Sequence, residues 1–117
     1  MTDEIMFWLE EIVEDDPLPY EIKHITFLYT KQNGCISLCM GGTEQKPTLC
    51  NMFDYFPLEA QYFDLKELAT SNEQYFVKLM CYFISEAFSN DYLKLQFNAK
   101  KIYFGKVGEK PKFLFCL

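Results

Sequence analysis

Few residues in this chain can do covalent or coordination chemistry. His24 is the only histidine, so a cysteine–histidine nucleophile pair would have to use it. The candidate thiols are Cys35, Cys39, Cys50, Cys81 and Cys116. Cys35 and Cys39 sit four apart in a stretch that reads as a strand. At roughly 3.3 Å per residue they stand about 13 Å apart. One tetrahedral zinc binds sulfur at about 2.3 Å and cannot bridge them along a regular strand. Buried small hydrophobes are the expected role for these two, and no metal site is expected. Gly41-Gly42-Thr43 lacks the lysine of a phosphate loop. Backbone freedom in a loop is the simpler reason for the glycines. Asp54, Glu59 and Asp64 carry no spacing that marks an acid–base pair. No catalytic residue and no cofactor is expected.

Two clusters suit binding better than reaction. Glu10, Glu11, Glu14, Asp15 and Asp16 form an acidic run without the pattern of a calcium-binding EF-hand loop. Such a run is a solvated face or a docking face for a basic partner. Tyr55 and Phe56, beside Pro57, are aromatics in a loop-like region, a common kind of interface anchor.

Composition narrows the function classes. The net charge is −6, and every basic residue is lysine. Arginine is the usual choice for bidentate phosphate and guanine contacts. An acidic chain without it is a poor nucleic-acid binder, because that affinity rests on neutralised phosphates. The charge is also uneven. Residues 1–21 hold acids and no base, whereas residues 94–117 hold six lysines against Glu109 alone. These ends can attract one another within or between molecules, or stand as two solvated faces.

The thiol count is odd, and the Met-Thr-Asp-Glu start is acidic where a secretory leader is basic. Reduced thiols in the cytoplasm are the expectation. The most apolar stretch, 75–87, is too short to span a bilayer and carries Lys78 and Glu86, so no membrane partner is expected.

The elements that must position these residues are legible from their periodicity. At 117 residues, with 50% hydrophobic and 18% aromatic residues, one domain over 1–117 with a ring-rich core is expected. Ile5, Leu9, Ile12 and Val13 recur at helical spacing, so residues 3–14 read as a helix, with Thr2 available as its cap. Residues 22–30 and 35–41 read as strands around Asn33-Gly34, the strongest short hairpin signal. A two-residue turn pairs Gln32 with Cys35, Phe27 with Met40 and Tyr29 with Leu38. Phe27, Met40, Tyr29 and Leu38, with Ile25 and Ile36, make one apolar face. His24, Thr26, Leu28 and Thr30 make the other, opposite Gly41, Cys39, Ser37 and Cys35.

Residues 48–56 read as a third strand, and 58–69 as a loop with a short helix near Asp64 to Ala69. Residues 72–88 read as a buried helix, with capping boxes available at Thr70/Glu73 or Ser71/Gln74. Residues 92–97 read as a strand or a helical tail, and 101–107 with 112–117 as a closing hairpin. The sum is an α+β protein: an antiparallel sheet of about five strands against two main helices, in the order α-β-β-β-α-β-β. Phe113 to Leu117 is apolar on both faces, so it is expected inside the sheet, under a helix, or in a dimer.

The element order and acidic balance resemble small secretion-chaperone-like domains, in topology alone. That resemblance implies dimerisation and the holding of partner chains. The function expected is a non-enzymatic protein-interaction module: an adaptor, an immunity-type inhibitor or a chaperone-like protein. It would have a protein partner and possible homodimerisation. The competing expectation is a small enzyme or ligand binder with a pocket near His24.

Overall fold

The computed structural model describes residues 1–32, 34–49, 53–57, 62–65 and 72–117. Helix α1 spans Thr2–Asp15, strand β1 His24–Gln32, β2 Cys35–Thr43 and β3 Tyr62–Asp64. Helix α2 spans Glu73–Ala87, α3 Asp91–Gln96, β4 Lys101–Lys106 and β5 Lys112–Cys116. The strands form one sheet in the order β3-β2-β1-β4-β5. The fold is α+β, with the expected strand count and nearly the expected element order.

The β1–β2 hairpin has the register that the turn demands. Gln32 pairs with Cys35, Phe27 with Met40 and His24 with Thr43. Gly34 adopts φ +78, the left-handed conformation that the second residue of such a turn requires. Asn33 lies outside the described residues.

The sheet is mixed rather than wholly antiparallel. β1 runs parallel to β4, with Ile25 opposite Ile102 and Phe27 opposite Phe104. A parallel pair needs a long crossover. Here the chain spends it on β2, β3, α2 and α3 before returning beside β1.

Alternation decides what is buried. Ile25, Phe27, Tyr29, Ile36, Leu38, Met40, Ile102 and Phe104 form one wall of the core. The helices cover that wall. Ile5, Leu9 and Ile12 of α1, Phe76, Met80 and Ile84 of α2, and Leu93 of α3 are all buried in the same cluster. Ring contacts link the layers: Trp8 with Phe27 at 6.3 Å, Tyr29 with Phe76 at 5.0 Å, and Phe88 with Phe97 at 4.9 Å.

Several local expectations change. Thr2 is the first helical residue of α1 rather than its cap. Asn72 caps α2, its side-chain oxygen accepting from the Tyr75 N–H at 3.0 Å. Thr70 and Ser71, the expected capping residues, lie outside the described residues. Residues 91–96 are helical, and Asn90 caps them through the Leu93 N–H at 3.0 Å.

Of the third strand expected over 48–56, residues 50–52 lie outside the described residues; among the described ones Tyr55 makes an isolated bridge to Gly42. Tyr62–Asp64 takes the edge beside β2, with Cys39 opposite Tyr62. β2 itself runs on through Gly41 and Gly42 to Thr43. Neither glycine has positive φ. Gly41 is needed because the Phe53 ring lies on it, 1.8 Å from where a Cβ would stand. Gly42 faces Ile22, 2.4 Å from the same hypothetical atom.

Candidate functional site

The sheet face away from α1, α2 and α3 is here called the far face. The alternation that sends Ile25, Phe27 and Tyr29 into the core sends His24, Thr26, Leu28 and Thr30 the other way. Ser37, Cys39, Gly41 and Thr43 of β2 join them. Lys101, Tyr103 and Gly105 arrive from β4, and Phe113 of β5 pairs with Tyr103.

Residues 53–57 split across the sheet. Phe53 and Phe56 turn to the far face, their rings 5.1 Å apart, and Phe56 meets the Tyr62 ring at 6.3 Å. Tyr55 turns the other way. It is buried, and its hydroxyl donates to the Asp16 carbonyl at 2.5 Å. Burial, followed by the Asp16 charge, pushes its phenol well above the usual range. Tyr55 is therefore a clasp between the C-terminus of α1 and the end of β2, and its ring is not presented to a partner.

Two cavities open on the far face. One, of about 290 Å³, is walled by Leu28, Thr30, Ser37, Cys39, Phe53, Phe56, Tyr62 and Val107. It is largely apolar. The Cys39 thiol at its wall is pushed up by burial, so it stays protonated and a poor nucleophile at neutral pH. The other, of about 360 Å³, is walled by His24, Lys46, Lys101, Tyr103 and Phe113. His24 Nδ1 and the Tyr103 hydroxyl are 2.9 Å apart. Burial, then the Lys101 charge, lowers the His24 pKa from its ordinary value, so the ring is neutral at pH 7. Burial, then Cys116, raises that of Tyr103.

Thr26 shares this face, paired across to Gly41 and Tyr103. It is fully buried, and its hydroxyl has no partner among the described residues. Such a group costs roughly 1–3 kcal/mol of desolvation.

The acidic residues lie elsewhere. Glu11, Glu14 and Asp15 are exposed on α1, and Glu10 and Asp16 are half-buried. Phe7, 61% exposed, sits one helical turn before Glu11 on the same stripe. α1 packs on the core side of the sheet, so this cluster and Phe56 stand on opposite sides of the molecule. Met1 pairs with Glu4 at 2.9 Å and Lys106 with Glu73 at 3.0 Å. Neither joins the acidic N-terminal run to the lysine-rich end.

Cys39 is buried as expected, but Cys35 is exposed, because it opens β2 beside the turn and beyond the cover of the sheet; the expected burial fails there. Cys50 and Glu59 lie outside the described residues. Among the described residues no cluster of histidine, cysteine and carboxylates could hold a metal ion. No described helix is long and apolar enough to cross a membrane.

Sequence reading placed His24 on this face but missed Tyr103, Lys101 and Lys46. Tyr103 lies 79 residues from His24 in the chain. Only the parallel ladder brings them together, and no local signal announces it. Compared with known proteins, the chain matches no protein-family profile, no curated protein and no solved structure.

Proposed function

We propose that this chain is a non-enzymatic protein-interaction module, of adaptor, inhibitor or chaperone-like kind, and that it pairs with a second copy of itself. The observation that supports this most is β5. It lies at the end of the strand order, so one side pairs with β4 and the other with no described residue. Phe113 to Cys116 carries no charge, and Phe113 is 55% exposed. Long apolar edges are normally blunted by lysine or proline, because they template further pairing. Antiparallel pairing of two β5 strands about Leu114 sets Lys112 opposite Cys116 of the second copy, with no like charges opposed.

The exposed acids of α1 around Phe7 are a second surface. They suit a lysine- or arginine-rich partner, and such binding weakens as salt rises. The reading belongs to the reducing cytoplasm, where the thiols stay free.

Light scattering at tens of micromolar tests the self-pairing. Wild type should give twice the chain mass of 13.9 kDa, and Phe113→Lys should give the single-chain mass with unchanged circular dichroism. A single-chain mass for wild type overturns the pairing.

The second reading, a ligand pocket near His24, is favoured by one observation: a cavity does open there. Its walls carry neither the cysteine nor the carboxylate that a nucleophile–base set needs among the described residues.

A further inference from the structure

We propose that the cavity walled by His24, Lys46, Lys101, Tyr103 and Phe113 binds a small organic anion, a carboxylate or phosphate group carried on an apolar ring.

The charge balance is the first reason. The chain carries a net −6, yet among the described residues the cavity wall holds two lysines and no carboxylate. In a molecule with more acids than bases, a pocket whose described polar walls are cations and neutral donors selects anions.

The second reason is proton counting at the His24–Tyr103 pair. A neutral imidazole and a phenol hold one N–H and one O–H between them. Their mutual hydrogen bond, 2.9 Å from Nδ1 to the hydroxyl, uses one. If the phenol donates to Nδ1, the Nε2–H is left to donate; if Nδ1–H donates, the phenol O–H is left. Either tautomer leaves one donor for a ligand oxygen, in a cavity that Lys46 and Lys101 also wall.

The third reason is shape. Tyr103 and Phe113 meet edge to face, ring centroids 5.6 Å apart at 69°. Phe113 keeps more than half its surface open, so its ring can take an aromatic body against it. The volume of about 360 Å³ is far beyond that of a single anion, and exceeds the roughly 30 Å³ share of a water many times over. The other far-face cavity has the aromatic walls without lysines. Charge is thus concentrated at the His24 end.

The groups facing the imidazole are Lys101 and Tyr103 of β4 and Lys46 of the loop after β2, with Cys116 of β5 acting on Tyr103. A bound anion favours the imidazolium, so occupancy should move the His24 titration upward.

Because His24 is the only histidine, its ring protons give one identifiable pair of NMR signals in the full chain. Phenyl phosphate, benzoate, inorganic phosphate and benzyl alcohol are the probes. Phenyl phosphate and benzoate should shift these signals saturably and raise the titration midpoint. Inorganic phosphate should bind more weakly, and benzyl alcohol should do nothing. Whichever ring-bearing anion saturates first identifies the headgroup. Lys101→Met should weaken binding about tenfold, as loss of one charge-assisted contact does. Unchanged emission from Trp8, the only tryptophan, checks that the fold is kept.

No saturable shift from either ring-bearing anion overturns the proposal. So does binding that is undiminished in both Lys101→Met and Lys46→Met, or benzyl alcohol binding as well as the anions. Inorganic phosphate binding equally tightly overturns the apolar half of it.

Discussion

On one side of the sheet Phe27, Tyr29, Leu38, Met40, Ile102 and Phe104 meet three helices, and every one is buried. On the other side the same strands offer His24, Thr26, Cys39 and Tyr103, capped in part by Phe53 and Phe56. The helix side is packed with large interlocking rings and opens toward its rim, where α2 meets the sheet around Tyr29, Val77 and Leu114. The far side leaves two cavities and a buried hydroxyl without a partner among the described residues. The strands are the same and the backbone hydrogen bonds are shared, so the difference comes from side chains alone. Stability is concentrated on one face, and the other is left free to carry polar groups and space.

Substitutions should separate the two faces. The largest effect is expected at Phe27→Ala, which deletes a fully buried ring touching Trp8 and Phe88. Urea unfolding should show a loss of about 3–5 kcal/mol. A loss no larger than that of a surface substitution would contradict the packing described for the helix side.

Gly41→Ala should cost about 1–3 kcal/mol, because the new methyl collides with Phe53. The double variant Gly41→Ala/Phe53→Ala should recover most of what the new methyl costs. If it does not, the clash is with the strand rather than with the aromatic cover.

Thr26→Val keeps the shape of the side chain and removes the unpartnered hydroxyl. It should raise stability by about 1–2 kcal/mol. A loss would show that a water or an undescribed residue satisfies this group.

The smallest effect concerns pH. His24 titrates lower in the folded chain than in the unfolded one. Between the two values the unfolded chain holds more protons, so stability rises with pH there. The contribution is fully present above the ordinary histidine value of about 6.5 and is lost as pH falls toward the folded value. Lys101→Met removes the cation beside the ring, so the folded titration should move up and the window should narrow. The midpoint of the His24 ring signal reports both.

How much of this was legible depends on range. The β1–β2 register followed from Asn33-Gly34 and from alternation, both local. The α2 and α1 stripes followed from helical spacing. The parallel neighbour of β1 did not, because a ladder between 24–29 and 101–106 leaves no trace in either segment. Apolar residues run through both 48–56 and 62–64, and nothing local marks 62–64 as the segment that pairs with β2. Gly41 and Gly42 looked like loop residues because a glycine needed for close approach reads the same as one needed for positive φ. At the candidate site His24 was visible as a residue, but its cavity was not, since Lys46, Lys101 and Phe113 join it only through tertiary pairing. Tyr55 was visible as an aromatic near a proline, and its bond to Asp16 could not be read from either end.

The parallel pairing of β1 with β4 also orders events during synthesis. The β1–β2 hairpin is local and can close in about 1–10 μs once it leaves the ribosome. It then waits for β2's successors, both later helices and β4 to be made before β1 gains its second neighbour. At roughly 5–20 residues per second the wait lasts seconds. Throughout it the edge of β1 that β4 will take stays unpaired, with Phe27 short of its Phe88 contact and Tyr29 of its Phe76 contact. The nascent chain is therefore most open to mispairing along its central strand, and a holdase acting there would protect β1 rather than either strand that ends at the rim of the finished sheet.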